Sequence, residues 1–122
     1  MIKVKRIYDL SKSNEKNNRI FTILIDRLWP RGLAKDKIKI DLWLKDIAPS
    51  DKLRKWFAHD PIKWEGFKSK YKEEILNQDR KMELLRQIKQ IEKERGSVLL
   101  LFSAKDKQYN NAIALSEILK EL

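Results

Sequence analysis

Two short apolar runs constrain this chain more than anything else in it. Residues 20–25 read IFTILI and residues 98–102 read VLLLF. Neither run alternates with charged residues, so neither can lie with one face in water. Strands of this kind are buried on both faces, the usual condition of a parallel sheet. Residues 2–7 differ: Ile2, Val4 and Ile7 are spaced by basic residues including Lys5, which predicts a strand with one solvated face. Residues 38–47 mix the strand and helix patterns, and we read a strand near residues 42–47, stopped by Pro49.

Amphipathic stretches separate these runs. Ser50 is a fitting N-cap for a short helix ending near Phe57, and Asp60-Pro61 repeats the start signal. Trp64, Phe67, Tyr71 and Ile75 then fall on one helical stripe. A helix over residues 79–95 buries Leu84, Leu85, Ile88 and Ile91 and stops at Gly96, which suits a C-terminal cap. The last helix is expected over about residues 108–122, buried through Ala112, Leu115, Ile118, Leu119 and Leu122. Residues 11–19, SKSNEKNNR, read as a polar, mobile loop. The expected fold is α/β: a three-layer, mostly parallel sheet of about four strands flanked by helices, with residues 1–122 as one domain. The short first connection leaves a hairpin open as an alternative to a crossover, and that choice decides whether Tyr8-Asp9 lies at the same sheet edge as Asp26.

The net charge is +10, unevenly spread. Residues 1–37 carry ten Lys or Arg against four Asp or Glu, whereas each later third has nine against seven. A local positive field favours anionic partners, and Arg27 and Arg31 offer the planar fork that suits phosphate or carboxylate. The absence of Cys excludes disulfides, thiolate nucleophiles and cysteine zinc sites. No apolar run is long enough for a signal peptide or a membrane span, so cytoplasmic residence and no membrane partner are expected.

In open α/β sheets ligands sit beyond the carboxyl ends of the strands. Residues 20–25 run into Asp26-Arg27 and then Trp29-Pro30-Arg31-Gly32; residues 98–102 run into Ser103-Ala104-Lys105-Asp106 and then Tyr109-Asn110-Asn111. If the strands are parallel, both clusters emerge together. We therefore single out Asp26, Arg27, Trp29, Arg31, Lys105 and Asn110 as ligand-binding candidates, and His59 and Asp106 as catalytic ones. Several have a plain structural alternative: Asp26 pairing with Arg27 or Arg31, Trp29 in the core, Asp106 capping the last helix, His59 facing solvent beside the capping Asp60. Lys105 has fewer, since a Lys at the end of a buried strand must find a partner or solvent. A lone histidine and dispersed carboxylates give no metal-ligand spacing, and no cofactor is expected. Three scattered glycines form no phosphate loop, and serine-hydrolase motifs are absent.

The segments DRLWPRG at 26–32, DLWLKDIAPS at 41–50, LRKWFAHDP at 53–61, WEGFKSKY at 64–71 and AKD at 104–106 with Asn110-Asn111 resemble the YeaO-like family, within domain of unknown function 488. The resemblance covers essentially the whole chain. It implies an α/β domain of this length from bacteria or archaea, no established activity, and a parallel sheet with both clusters on one edge. Many relatives carry Cys, Glu and His-Arg around the second cluster; this chain has Lys105 near the Glu and Asn110-Asn111 near the His-Arg, so a thiol or glutamate mechanism does not carry over. Three functions remain: a site for a nucleotide-like or phosphorylated small molecule, with or without turnover; a nucleic-acid-binding or accessory protein using the basic first third; and a non-catalytic interaction domain with exposed tryptophans. Oligomeric state is not legible.

Overall fold

The computed structural model describes residues 1–10 and 20–122, and the polar loop expected at residues 11–19 lies outside them. Four strands, β1 (Ile2–Arg6), β2 (Phe21–Leu24), β3 (Leu42–Trp43) and β4 (Val98–Phe102), form one sheet in the order β1-β4-β2-β3, with every pairing parallel. The two unbroken apolar runs become the interior strands, and β4 is buried at all five positions. The alternating run becomes an edge strand. Thr22, the one polar residue of the second run, is buried; its N–H and hydroxyl donate to Asp41 Oδ2 (2.8 and 3.2 Å), and its hydroxyl accepts from the Asp41 N–H (3.0 Å).

The hairpin alternative is settled. β1 and β2 both pair parallel with β4, so Arg6, Tyr8 and Asp26 leave the sheet at one edge.

Four helices are described. α1 (Asp51–Phe57) is capped by Ser50, whose Oγ accepts from the Leu53 N–H at 3.1 Å. α2 (Trp64–Asn77) is entered through a 3-10 turn, Pro61–Lys63, capped by Asp60. α3 (Asp79–Arg95) ends at Gly96, whose φ of 86° lies in the region that favours glycine. α4 (Asn111–Glu121) begins later than expected. Its cap is Asn110, which accepts from the Ile113 N–H at 2.9 Å, so the capping role proposed for Asp106 falls to Asn110 instead. Leu122, expected to be buried, lies past the end of this helix and is 39 % exposed.

The sheet is covered on both faces. Val98, Leu100 and Phe102 pack with the helices, around the Trp64–Phe67–Tyr71–Ile75 stripe. Leu99 and Leu101 point the other way, against Ile7, Leu24 and the irregular segment carrying Trp29, Leu33, Ile38 and Ile40.

The strand expected over residues 42–47 shrinks to Leu42–Trp43, followed by a 3-10 turn at Lys45–Ile47. Donors from the helices take the carbonyls that a longer strand would offer a neighbour. The Tyr71 hydroxyl donates to the Ile47 carbonyl at 2.6 Å, and Lys81 Nζ donates to those of Asp46 and Ala48. Burial pushes the Tyr71 phenol well above its ordinary range, which keeps it a donor; burial pushes the Lys81 ammonium down.

Candidate functional site

At the carboxyl edge of the sheet the strand ends diverge around a cleft of about 760 Å³. β1 delivers Arg6 and Tyr8 to it, β2 delivers residues 26–31, β4 delivers residues 103–106 and 109–111, and α1 contributes Arg54, Phe57 and the following His59.

Asp26 is the floor. Its Oδ2 accepts from the Ser103 N–H (2.9 Å) and hydroxyl (2.7 Å), and its Oδ1 accepts from Asn111 Nδ2 (2.9 Å). One carboxylate thus ties β2, β4 and the start of α4 together. The expected pairing of Asp26 with Arg27 or Arg31 is not formed.

The loop after β2 is held from within. Pro30, Arg31 and Gly32 make a tight turn closed by the Leu33 N–H on the Pro30 carbonyl (3.4 Å), with Gly32 at φ 83° where a β-carbon is disfavoured. This puts Arg31 at the tip, exposed. The Tyr8 hydroxyl donates to the Arg31 carbonyl at 2.6 Å. Trp29 Nε1 donates to the Leu33 carbonyl at 2.6 Å, and its ring meets Trp43 edge-on at 5.4 Å. Trp43 Nε1 in turn donates to the Asp26 carbonyl at 2.7 Å. Both indoles therefore brace the loop, and neither presents a free N–H. Trp56 is the exposed tryptophan, flanked by Lys63 and Lys70 at 5.2 and 5.1 Å from its ring.

Across the cleft, Asp106 Oδ1 accepts from the N–H groups of Gln108 and Tyr109, each at 2.9 Å. The Tyr109 N–H first, then that of Gln108, hold the Asp106 carboxyl below its usual range, with the nearby His59 adding a weaker pull. A depressed carboxyl pKa stabilises the fold above its unfolded value of 3.8, and that contribution is lost as acid protonates the group. Asn110 is buried, spending its amide on the Asp106 carbonyl and its oxygen on the helix start.

His59 stands exposed at the rim with φ 57°, directly after Ala58 at φ 46°. Two successive non-glycine residues in the left-handed region are costly, and such strain gathers at functional sites. Here it is held by the Asp60 N–H on the Phe57 carbonyl (2.9 Å) and by the His59 ring lying 6.1 Å from that of Phe57.

All eight residues singled out from the sequence line this cleft. They divide by what their side chains already do. Asp26, Asn110 and Trp29 bond to the protein, and Asp106 shapes its own turn. The side chains of Arg27, Arg31, Lys105 and His59 make no hydrogen bond or ion pair with another described residue. Sequence reasoning missed Arg6 and Arg54. Arg6 would have followed from knowing that β1 is parallel; Arg54 carries no local signal, because only the packing of α1 brings it to the cleft.

Among the described residues no group of three or more His, Asp or Glu could hold a metal ion, and no helix is long and apolar enough to cross a membrane. A second, shallow depression of about 590 Å³ lies between Met1 and α3, at the opposite end of β1 from the clustered side chains.

A family model described as the inactive DUF488-N3 subclade matches residues 1–122. The chain is 33% identical to the uncharacterized protein YeaO of Escherichia coli (strain K12) over 121 residues, 99% of this chain and 98% of that one. It is 36% identical over 74 residues to the uncharacterized protein Rv3073c of Mycobacterium tuberculosis (strain ATCC 25618 / H37Rv), 61% of this chain and 59% of that one, and equally to Mb3100c of Mycobacterium bovis. No solved structure matches the chain.

Proposed function

This chain belongs to the DUF488 family, in the subclade described as inactive DUF488-N3, and from that membership together with the cleft we propose that it binds an anionic small molecule, nucleotide-like or phosphorylated, without turning it over. One observation carries the reading: Arg6, Arg27, Arg31, Arg54 and Lys105 line a concave site where Asp26 is taken up by Ser103 and Asn111 and Asp106 has one of its two oxygens taken up by its own turn. Guanidinium groups in a hollow suit phosphate or carboxylate, which they grip by paired hydrogen bonds. Phe57, Leu28 and Tyr109 add an apolar wall, the composition typical of small-molecule sites.

The absence of turnover rests on the same inventory. A general base needs an orienting partner and a free acceptor within reach of the substrate. His59 is exposed on a strained rim with no hydrogen-bonded partner, and the two turn N–H groups on Asp106 Oδ1 hold its carboxyl below the usual range, which makes it a weak base. A concave site also favours a small molecule over a nucleic-acid strand, which would call for a continuous basic face.

The test is a thermal-shift screen across nucleotides and sugar phosphates. A ligand at a hundred times its dissociation constant adds about 2.7 kcal/mol of stability. Arg31→Ala is expected to abolish the gain, and phosphorus NMR after prolonged incubation is expected to show the ligand unchanged. Stabilisation that survives Arg31→Ala would sink the placement of the site, and accumulating product would sink the claim of inactivity.

A further inference from the structure

The cations of the cleft fall into two sets on either side of the Asp26–Ser103–Asn111 floor. On one side Arg6 leaves the end of β1 with its Nε donating to the Ser103 and Ala104 carbonyls (3.1 and 2.9 Å), and its guanidinium lies 4.6 Å from the centre of the Tyr8 ring. The Tyr8 hydroxyl holds the Arg31 backbone on this same side. On the other side Arg27 follows in step with Ile23 and Ile25, whose side chains belong to the helix-side core, and Arg54 of α1 lines the same cleft paired with Asp51. β1 and β2 flank β4, so their ends stand two strand spacings apart, about 10 Å.

Cations on both sides bear on the charge of the anion. Arg6, Arg27, Arg31, Arg54 and Lys105 together carry more positive charge than one phosphate balances, whereas two linked phosphates offer each set phosphoryl oxygens of its own. The cleft also has room for more than the anion, and Leu28, Phe57 and Tyr109 give that remainder an apolar surface. Asp106 Oδ2 has no donor among the described residues, because both turn N–H groups go to Oδ1; a sugar hydroxyl is the kind of donor it lacks.

Resting on the anion-binding reading of the cleft, we propose that its ligand class is the nucleoside diphosphate: one phosphate beside Arg6 and Arg31, the other beside Arg27 and Arg54, and the nucleoside against the apolar wall. Lys105, exposed at the end of β4 between the two sets, then neutralises the bridging region.

Isothermal titration calorimetry with inorganic phosphate, pyrophosphate and adenosine diphosphate tests this. Pyrophosphate is expected to bind about tenfold tighter than phosphate, and adenosine diphosphate about tenfold tighter again. Arg27→Gln is expected to bring pyrophosphate to within about threefold of phosphate, since it removes one of the two grips. Arg27 is exposed and makes no hydrogen bond to a described residue, so this variant is expected to fold, as circular dichroism would verify; Arg6→Gln repeats the test from the other side. Equal affinities for phosphate and pyrophosphate overturn the diphosphate class while leaving the anion cleft standing. Adenosine diphosphate binding no tighter than pyrophosphate overturns the nucleoside half. If none of the three binds, while another anion from the screen does, the ligand class fails alone; if no anion binds, both readings fail.

Discussion

The Asp26 side chain accepts from Ser103 and Asn111, residues 77 and 85 positions away, and is therefore held at the floor of the cleft. A hydrogen bond to an ionised group contributes roughly 1.5–3 kcal/mol, and removing the acceptor strands its donors. Asp26→Ala is expected to cost about 3 kcal/mol, read as a lower urea midpoint with an unchanged slope. A loss below about 1 kcal/mol would show that the three contacts are dispensable. These bonds also show where sequence reasoning stops at this scale. Asp26, Arg27, Lys105 and Asp106 could be picked out because they follow apolar runs, a local pattern. Which of them would have a side chain left over could not, because the partners that consume Asp26 come from the far end of the chain.

Elements with local signals came out as the sequence predicts: α3 and β4 have the expected bounds, since their caps and apolar spacing are written within them. The strand expected over residues 42–47 did not, because its carbonyls are claimed by Tyr71 and Lys81, whose positions depend on how α2 and α3 pack. Likewise α4 starts at Asn111 because Asp106 Oδ1 closes a separate turn upstream and Asn110 caps the helix. Packing between elements is tested most directly at Gly66, inside α2 under the Trp56 ring. A β-carbon there would stand 2.9 Å from Trp56 Cη2, closer than such atoms approach. Replacing glycine by alanine in a helix ordinarily gains about 1 kcal/mol. Gly66→Ala is expected to forfeit that gain, with Trp56 swung off the helix and tryptophan emission shifted to the red. Full stabilisation with unchanged fluorescence would contradict the close approach of α1 and α2.

At the scale of the molecule, a net charge of +10 on 122 residues sets up self-repulsion that salt relieves. The melting temperature is expected to rise by several degrees between about 0.01 and 0.5 M sodium chloride, as the screening length falls from about 30 Å to below 8 Å. Phosphate at equal ionic strength is expected to raise it further, with the extra increment reduced in Arg31→Ala; calorimetry reads both. A melting temperature that falls with chloride would mean attractive surface pairs outweigh the repulsion. The strand order has a consequence of another kind, for the newborn chain. β1 and β2 are made early, yet each is held by β4, which the ribosome delivers nearly a hundred residues after the first. At about 5–20 residues per second, β1 waits seconds for the strand it pairs with in the described sheet. β4 must be made before the sheet, and the cleft at its edge, can exist at all; until then the apolar strand at Phe21–Leu24 lacks the neighbour that buries it.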